Sequence, residues 1–357
     1  MLQNNNKQVF FMNRWLLLAI VLLLSVAVLS ACGKKKEEGK SPAASGSPEE
    51  VIATYKDNGK VTRADFDKFV NVNKLFNPQL AQFMAEPAFQ QDMLKQMITF
   101  SILSAKADDK IKADADKQIA DQMTQLKEYL GQLEGGMEKQ LKDNHIELAD
   151  IESLMKMSFY TMMSLENQVA DQQIQDSYNE KSANHEFDLA TVSHILISLK
   201  DPATDKDIRT KEEALARANE VLGKLKNGGD FAALAKEYSD DPGSKDNGGT
   251  YKDADVNQWV PGFKEAAISL PLNQISDPAV ETTFGYHVMK VENRSTKKLE
   301  EVKTQIKSEL AQTSLSNFAD KELPGLILTN TLPKPEEQPA SPAPSEGPSA
   351  SPATEGK

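Results

Sequence analysis

The sequence reads Phe187-Asp-Leu-Ala-Thr-Val-Ser-His194-Ile-Leu-Ile-Ser-Leu199 at one end of its central region and Phe284-Gly-Tyr-His287-Val-Met-Lys-Val291 at the other, and these stretches decide the fold. Both are short, apolar and rich in β-branched or aromatic residues, which predicts buried strands. Because side chains alternate across a strand, His194 and His287 each point the same way as apolar neighbours. We therefore expect two of the chain's four histidines to lie in apolar surroundings.

Three helix signals lie between the two strands. A capping box, Thr210-Lys-Glu-Glu213, opens an amphipathic run that Gly228-Gly229 closes. Asp230 caps a second helix, and a shorter apolar run begins at Phe263. The order of strands and helices from 186 to 293 predicts a small α+β domain with an antiparallel sheet.

Five motifs in this region resemble the parvulin family of peptidylprolyl isomerases. They are Val192-Ser-His194-Ile-Leu-Ile, Phe231-Ala-Ala-Leu-Ala-Lys-Glu-Tyr-Ser-Asp-Asp241-Pro-Gly-Ser, Asn247-Gly-Gly249, Phe263-Lys-Glu-Ala-Ala and Phe284-Gly-Tyr-His287-Val-Met-Lys-Val. No single motif is specific, but all five occur in the family's order over about a hundred residues, the size of one small domain. The resemblance implies an enzyme that catalyses cis/trans isomerisation of X-Pro peptide bonds.

The same resemblance implies roles for four polar residues. His194 and His287 match the paired histidines beneath the parvulin active site, and Thr282 matches the hydroxyl that supports the pair. Asp241 occupies the position at which the family has Cys or Asp. Asp241 is also an ordinary turn former before Pro242-Gly243, and the sequence leaves open whether it acts directly or only sets the local field.

Three further residues are expected to bind the substrate's proline. Phe263 matches the aromatic wall of the family's proline pocket, and we expect Trp259 and Met289 to complete an apolar slot. The chain departs from the family at Trp259, where Met or Leu is usual, and around Thr250-Tyr251, where the family more often reads Asp-Leu-Gly. Rotation about an X-Pro bond needs such a slot and well-placed polar groups, so we expect no metal and no cofactor.

The N-terminal residues predict a lipoprotein signal peptide. Lys7 and Arg14 precede an apolar run from Trp15 to Leu29, which is shorter than the roughly 20 residues of a membrane span. The following Ser-Ala-Cys32-Gly resembles a bacterial lipobox, which implies that Cys32 is lipidated and anchors the protein at the extracytoplasmic face of the cell membrane. The alternative is a retained transmembrane anchor with an incidental cysteine. Cys32 is the only cysteine, so no intramolecular disulfide can form.

The chain is expected to contain six segments. They are a signal peptide at 1–31, a lipidated flexible tether at 32–49, the N-terminal part of a helical chaperone-like domain at 50–185, the parvulin-like domain at 186–293, a C-terminal helix at 294–330 and a disordered tail rich in Pro, Ser and Ala at 331–357. A lone helix cannot bury its own apolar stripe, so we expect the C-terminal helix to pack on the N-terminal helices. The predicted fold class is therefore α+β, with the isomerase domain inserted in a mostly α-helical chaperone domain formed by the two terminal segments.

Composition restricts the partners. The net charge is −12, and no basic block is longer than Lys34–Lys36, which argues against nucleic acid. Nine of the twelve methionines lie between Met84 and Met163, where they would either bind unfolded clients or fill the core. The sequence leaves open whether the chain forms a homo-oligomer.

Taken whole, the chain resembles extracytoplasmic foldases of the PrsA type. This implies a folding factor that isomerises X-Pro bonds in newly secreted proteins and holds unfolded clients. One alternative is a holdase whose parvulin-like domain binds peptides without catalysis. Another is a solute-binding lipoprotein, but the long helical pattern before residue 182 differs from the alternating strands and helices that such a protein needs.

Overall fold

The computed structural model describes residues 47–335. The predicted signal peptide, Cys32 and most of the predicted tether and tail lie outside these residues. The described residues divide into two compact units, one formed by residues 47–165 together with 312–335, the other by Glu166–Ala311. Between residues 47 and 335, no helix is both long enough and apolar enough to cross a bilayer.

The secondary structure confirms the predicted α+β class. The strands are β1 Val51–Tyr55, β2 Gly59–Thr62, β3 Asp188–Ser198, β4 Thr250–Asp255, β5 Val280–Thr282, β6 Gly285–Thr296 and β7 Ile327–Asn330. The α-helices are α1 Arg63–Phe76, α2 Pro87–Ser104, α3 Asp109–Gln132, α4 Gly136–Asp143, α5 Leu148–Gln168, α6 Asp171–Ala183, α7 Lys211–Lys226, α8 Phe231–Tyr238, α9 Pro261–Ser269 and α10 Leu299–Asn317. The predicted caps are present, because the Thr210 hydroxyl and the Asp230 carboxylate accept hydrogen bonds from backbone N–H groups at the starts of α7 and α8.

The first unit contains a three-stranded antiparallel sheet in the order β2-β1-β7. A tight turn through Asp57 and Asn58, both with positive φ, joins β1 to β2. On its other edge β1 pairs with β7, so that Ala53 lies opposite Asn330. The sequence analysis assigned 294–330 to a C-terminal helix, whereas the structure ends this segment with the strand β7, Ile327–Asn330.

The C-terminal helix is divided between the two units. Up to Ala311, α10 belongs to the second unit, where Val302 and Ile306 pack on Ile174 and Phe187. From Gln312 the chain belongs to the first unit and continues through a π-helical turn, Phe318–Glu322, and a 3-10 turn, Leu323–Gly325. The packing of the C-terminal helix on the N-terminal helices and the six segment boundaries stay predictions.

The second unit is built on a four-stranded antiparallel sheet in the order β4-β3-β6-β5. One face carries Ile195, Ile197 and Val288 and packs on α7 and α8. The other face carries Val192 and Met289 and packs on α9. His194 lies opposite Met289 and Leu196 lies opposite His287. Directly paired residues share a face, so both histidines lie on the α9 side of the sheet.

Two glycines let other segments approach the central strand closely. Gly249 has φ +77°, and a Cβ atom there would lie 2.2 Å from the carbonyl oxygen of His194. Gly285 has φ +138°, and its Cβ would lie 2.2 Å from the carbonyl oxygen of Ile197. Both positions therefore require the absence of a side chain as well as a positive φ.

The methionines of the N-terminal helices serve mainly in packing. None of the nine between Met84 and Met163 is exposed. Five are buried, and these are Met93, Met97, Met123, Met155 and Met162. The burial favours the second of the two interpretations, in which methionine fills irregular space in the core.

Candidate active site

The two histidines come from the central strands of the second sheet and touch each other. They occupy diagonal positions on β3 and β6, and their Nδ1 atoms are 3.1 Å apart. Their rings stack at 5.4 Å with an interplanar angle of 23°. Only 4% of His194 and 3% of His287 is exposed, so neither polar ring is satisfied by bulk water. Each needs partners within the protein.

Asp241 is the partner of His194. One of its carboxylate oxygens, Oδ2, lies 2.9 Å from His194 Nε2. The segment that carries it follows α8 and binds the edge of β3, where Asp240 N–H donates to the Leu196 carbonyl oxygen at 2.8 Å. The guanidinium of Arg209 holds the Asp240 carboxylate. Asp241 is thus positioned by backbone pairing on one side and by its neighbour's ion pair on the other.

The Asp241 carboxylate accepts hydrogen bonds from several donors. Oδ2 accepts from His194, from the Ser244 hydroxyl and from the Tyr251 hydroxyl at 2.9 Å, and Oδ1 accepts from Gly243 N–H at 3.0 Å. Burial alone would raise the pKa of Asp241, but these hydrogen bonds outweigh it and lower that pKa well below its ordinary value. Asp241 is therefore an ionised acceptor at neutral pH.

Thr282 is the partner of His287. Its Oγ1 lies 2.8 Å from His287 Nε2 and also accepts from Phe284 N–H at 3.2 Å. Burial, and then the proximity of His194, lowers the pKa of His287 to about 3, so this ring is neutral at physiological pH. Both nitrogens of the His287 ring therefore have hydrogen-bond partners within the protein.

These contacts form one hydrogen-bonded chain with a defined direction. An ionised carboxylate only accepts, so His194 Nε2 carries a proton and donates it to Asp241. With His194 neutral, its Nδ1 accepts from His287 Nδ1–H, and His287 Nε2 accepts from the Thr282 hydroxyl. A second proton on His194 reverses the last two bonds, because Nδ1 then becomes a donor.

An aromatic side chain covers the histidine pair. The Phe263 ring from α9 stands edge-on to both imidazoles, with centroids 5.1 Å away in each case. Trp259 lies 4.9 Å from Phe263, also in a tilted arrangement, and is only partly buried. Met289 has no exposed surface and packs in the apolar cluster beneath Phe263. The structure thus brings all seven predicted site residues of this domain into one place, with Met289 beneath the others.

Sequence reasoning missed two members of the site, Ser244 and Tyr251. Ser244 follows Asp241 by three residues in a turn, a spacing at which a hydroxyl commonly returns to an Asp side chain. Tyr251 was visible only as a departure from the family pattern. Burial, and then its hydrogen bond to Asp241, raises the pKa of Tyr251 to about 12, so its hydroxyl stays protonated and donates.

Acidification is expected to destabilise the second unit through His287. The unfolded chain takes up this proton near pH 6.5, the folded protein only near pH 3, so the unfolded state binds more protons between these values. The free energy of unfolding should therefore fall as the pH falls through this window, by up to about 1.4 kcal/mol per pH unit. Urea unfolding followed by Trp259 fluorescence between about pH 7 and 4.5 measures the slope.

The matched comparison is His287→Leu against His145→Asn. The first variant removes the buried group and should flatten the pH dependence, whereas His145 is exposed in the first unit and its replacement should leave the slope unchanged. An unchanged slope in His287→Leu would contradict the assignment of this proton to His287.

Comparison with known proteins gives consistent results. The family model for the PPIC-type PPIase domain matches residues 177–295. Foldase protein PrsA 3 of Bacillus cereus is 30% identical over 282 residues, covering 78% of this chain and 82% of the relative. Foldase protein PrsA 3 of Bacillus anthracis is 33% identical over 222 residues, covering 62% and 69%. The crystal structure of the peptidylprolyl isomerase PrsA from Bacillus cereus has 26% identity and a TM-score of 0.39, covering 76% of this chain and 88% of that one.

The family model and the two curated foldases confirm the resemblance that the five sequence motifs indicated. The matched family model spans the strands and helices that carry the histidine pair, Asp241 and Phe263. The identity to the two curated foldases extends well beyond that domain. The chain therefore belongs to the PrsA family of foldases and carries a PPIC-type peptidylprolyl isomerase domain.

Proposed function

We propose that this protein speeds the cis/trans isomerisation of X-Pro bonds in incompletely folded client proteins outside the cytoplasm, using the site built on His194 and His287. One observation carries the proposal, namely the hydrogen-bonded chain from Asp241 to Thr282 lying directly under the aromatic ring of Phe263. A twisting prolyl amide requires fixed polar groups, hydrogen-bonded within the protein, beneath an apolar wall that holds the proline ring.

The reaction sets the demands on the site. A planar amide must lose its resonance at a barrier of about 18 to 20 kcal/mol, and uncatalysed X-Pro exchange takes tens to hundreds of seconds. Nothing has to attack the substrate covalently. An enzyme gains rate by binding the twisted amide better than the planar one, which requires a grip on the proline ring and fixed polar groups near the rotating bond.

The residues present can meet these demands. The proline ring fits against Phe263 and Trp259, which form a tilted pair at the partly exposed side of the site. Asp241 acts as a fixed negative charge, because its oxygens already accept hydrogen bonds from His194, Ser244, Tyr251 and Gly243. The buried histidines are held in set orientations, so no reorganisation is needed when the amide twists. In this mechanism Asp241 sets the field instead of attacking the substrate.

The aromatic wall gives a direct test. Phe263→Leu keeps an apolar side chain but removes the edge-on contact with both imidazoles, and should lower kcat/KM for an X-Pro peptide about fivefold to tenfold. Phe318→Leu is the matched control, since Phe318 is equally buried but belongs to the first unit. Both variants are compared in a fast-mixing isomerisation assay of the full chain. Equal rates for the two would argue against Phe263 as the pocket wall.

The proposal includes an anchor and a location. The charged N terminus, the apolar run and the Ser-Ala-Cys32-Gly sequence support cleavage before Cys32 and lipidation of its sulfur at the extracytoplasmic face of the membrane. Membership of the PrsA foldase family supports unfolded proteins as clients. Mass spectrometry of the N-terminal peptide from membranes tests the anchor, because an unmodified Cys32 inside an uncleaved leader would contradict it.

A further inference from the structure

The carboxylate that holds His194 has a further hydrogen-bond donor in Tyr251. Here the Tyr251 hydroxyl donates to Asp241 Oδ2 at 2.9 Å, on the same oxygen that accepts the His194 Nε2 proton. A residue of β4 therefore acts on the hydrogen-bonded chain at its carboxylate end.

The sheet fixes the position of the Tyr251 ring. Tyr251 lies on β4 opposite Val192 of β3, and the neighbouring Thr250 and Ser193 hydroxyls are 2.8 Å apart. The ring centroid is 5.6 Å from that of His194. The phenol thus reaches Asp241 from a strand that is held to β3 by backbone pairing and by a hydrogen bond between side chains.

Gly243 provides the space that the phenol occupies. A Cβ atom at this position would lie 2.6 Å from the Tyr251 hydroxyl oxygen but 3.3 Å from Asp241 Oδ1. Gly243 does not have a positive φ, so its backbone conformation alone would allow an alanine. Position 243 therefore requires glycine because a Cβ atom would be too close to the hydroxyl oxygen of Tyr251.

We propose that Tyr251 is a positioning residue of the isomerase. Its hydroxyl fixes Asp241 as the acceptor of the His194 Nε2 proton and so keeps His194 Nδ1 as the atom that faces His287. Gly243 leaves the space that the Tyr251 hydroxyl occupies. This rests on the proposed function, since it assigns a role within the same site. Tyr251 acts through the Asp241 carboxylate on the ring of His194.

The first experiment observes the tautomer of His194 and does not depend on activity. With only four histidines, selective ¹⁵N labelling of the full chain gives a simple spectrum. In the wild type and in a Tyr238→Phe control, the neutral His194 ring should be the Nε2–H tautomer. Tyr238 donates to Glu220 at 2.8 Å, so the control also removes one phenol–carboxylate bond from the same unit. Tyr251→Phe should show a mixture with Nδ1–H, and a single Nε2–H tautomer in this variant would overturn the proposal.

The second experiment is a double-mutant cycle on isomerisation. Tyr251→Phe should lower kcat about tenfold with little change in KM, because the ring remains while a charge-assisted hydrogen bond is lost. Gly243→Ala should cause a similar loss by displacing the phenol. The double variant should be no worse than Tyr251→Phe, and losses that multiply to about a hundredfold would overturn the link between the two residues. A wild type with no activity above the uncatalysed rate would contradict the proposed function, and the tautomer experiment would still decide the role of Tyr251.

Discussion

Replacing His287 with alanine is expected to lower kcat/KM for X-Pro isomerisation about a hundredfold, the loss typical of removing a preorganised polar group. The substitution deletes the middle of the hydrogen-bonded chain, leaving His194 Nδ1 and the Thr282 hydroxyl without the partners they have at 3.1 and 2.8 Å. The substitution also removes the imidazole that the Phe263 ring contacts edge-on, at a centroid distance of 5.1 Å.

The comparison needs a histidine that is chemically similar but outside the site. His185 is exposed and bonded to Asp188, and its φ of 60° is tolerated by asparagine, so His185→Asn is the control. We expect the control to retain full activity in the full chain. Equal activity well above background in His287→Ala would show that catalysis occurs elsewhere. Rates near the uncatalysed value in both wild type and variant would favour the holdase alternative.

Replacing Gly249 with alanine is expected to lower the free energy of unfolding of the second unit by more than about 3 kcal/mol, a large part of the stability of an ordinary domain. A positive φ of 77° is itself unfavourable for alanine, and the added Cβ would lie 2.2 Å from the His194 carbonyl oxygen. To relieve this contact the loop must leave the edge of β3. It would then lose the hydrogen bond from His194 N–H to the Gly249 carbonyl oxygen.

Gly223→Ala is the matched control for this prediction. Gly223 lies inside α7, and a Cβ atom there would meet nothing within 4 Å. An alanine in a helix interior should stabilise the unit by about 0.5 to 1 kcal/mol. Denaturant unfolding of both variants is followed by Trp259 fluorescence. If the close approach is real, the free energy of unfolding falls in Gly249→Ala and rises in Gly223→Ala. Wild-type stability in Gly249→Ala would refute it.

The parts of the fold with a local periodic signal could be predicted from the sequence. The two-residue period of a strand placed His194 and His287 on apolar faces, and their meeting on one side of the sheet followed from antiparallel pairing. The end of α7 was also readable, because Gly228 has the positive φ that such a position favours. These predictions rest on contacts between residues close together in sequence or on strands with strong patterns.

The parts that depend on distant or individual contacts could not be predicted. β7 is only four residues long, and its pairing with β1 leaves no mark on its own sequence. The methionine pattern was compatible with both a surface and a core, and only the observed burial separates them. The hydrogen bond from Tyr251 to Asp241 joins a strand to a loop through single atoms, which no periodicity encodes.

The pairing of β1 with β7 has a consequence for the order of folding. Thr54 and Thr329, whose hydroxyl oxygens are 2.7 Å apart, are separated by 275 residues, so pairing these strands closes a very long loop. The second unit, in contrast, is continuous in sequence from Glu166 to Ala311 and can form as soon as it is complete. Because non-local pairing is slow and domains fold as units, this protein is expected to complete its isomerase before the sheet of its first unit closes.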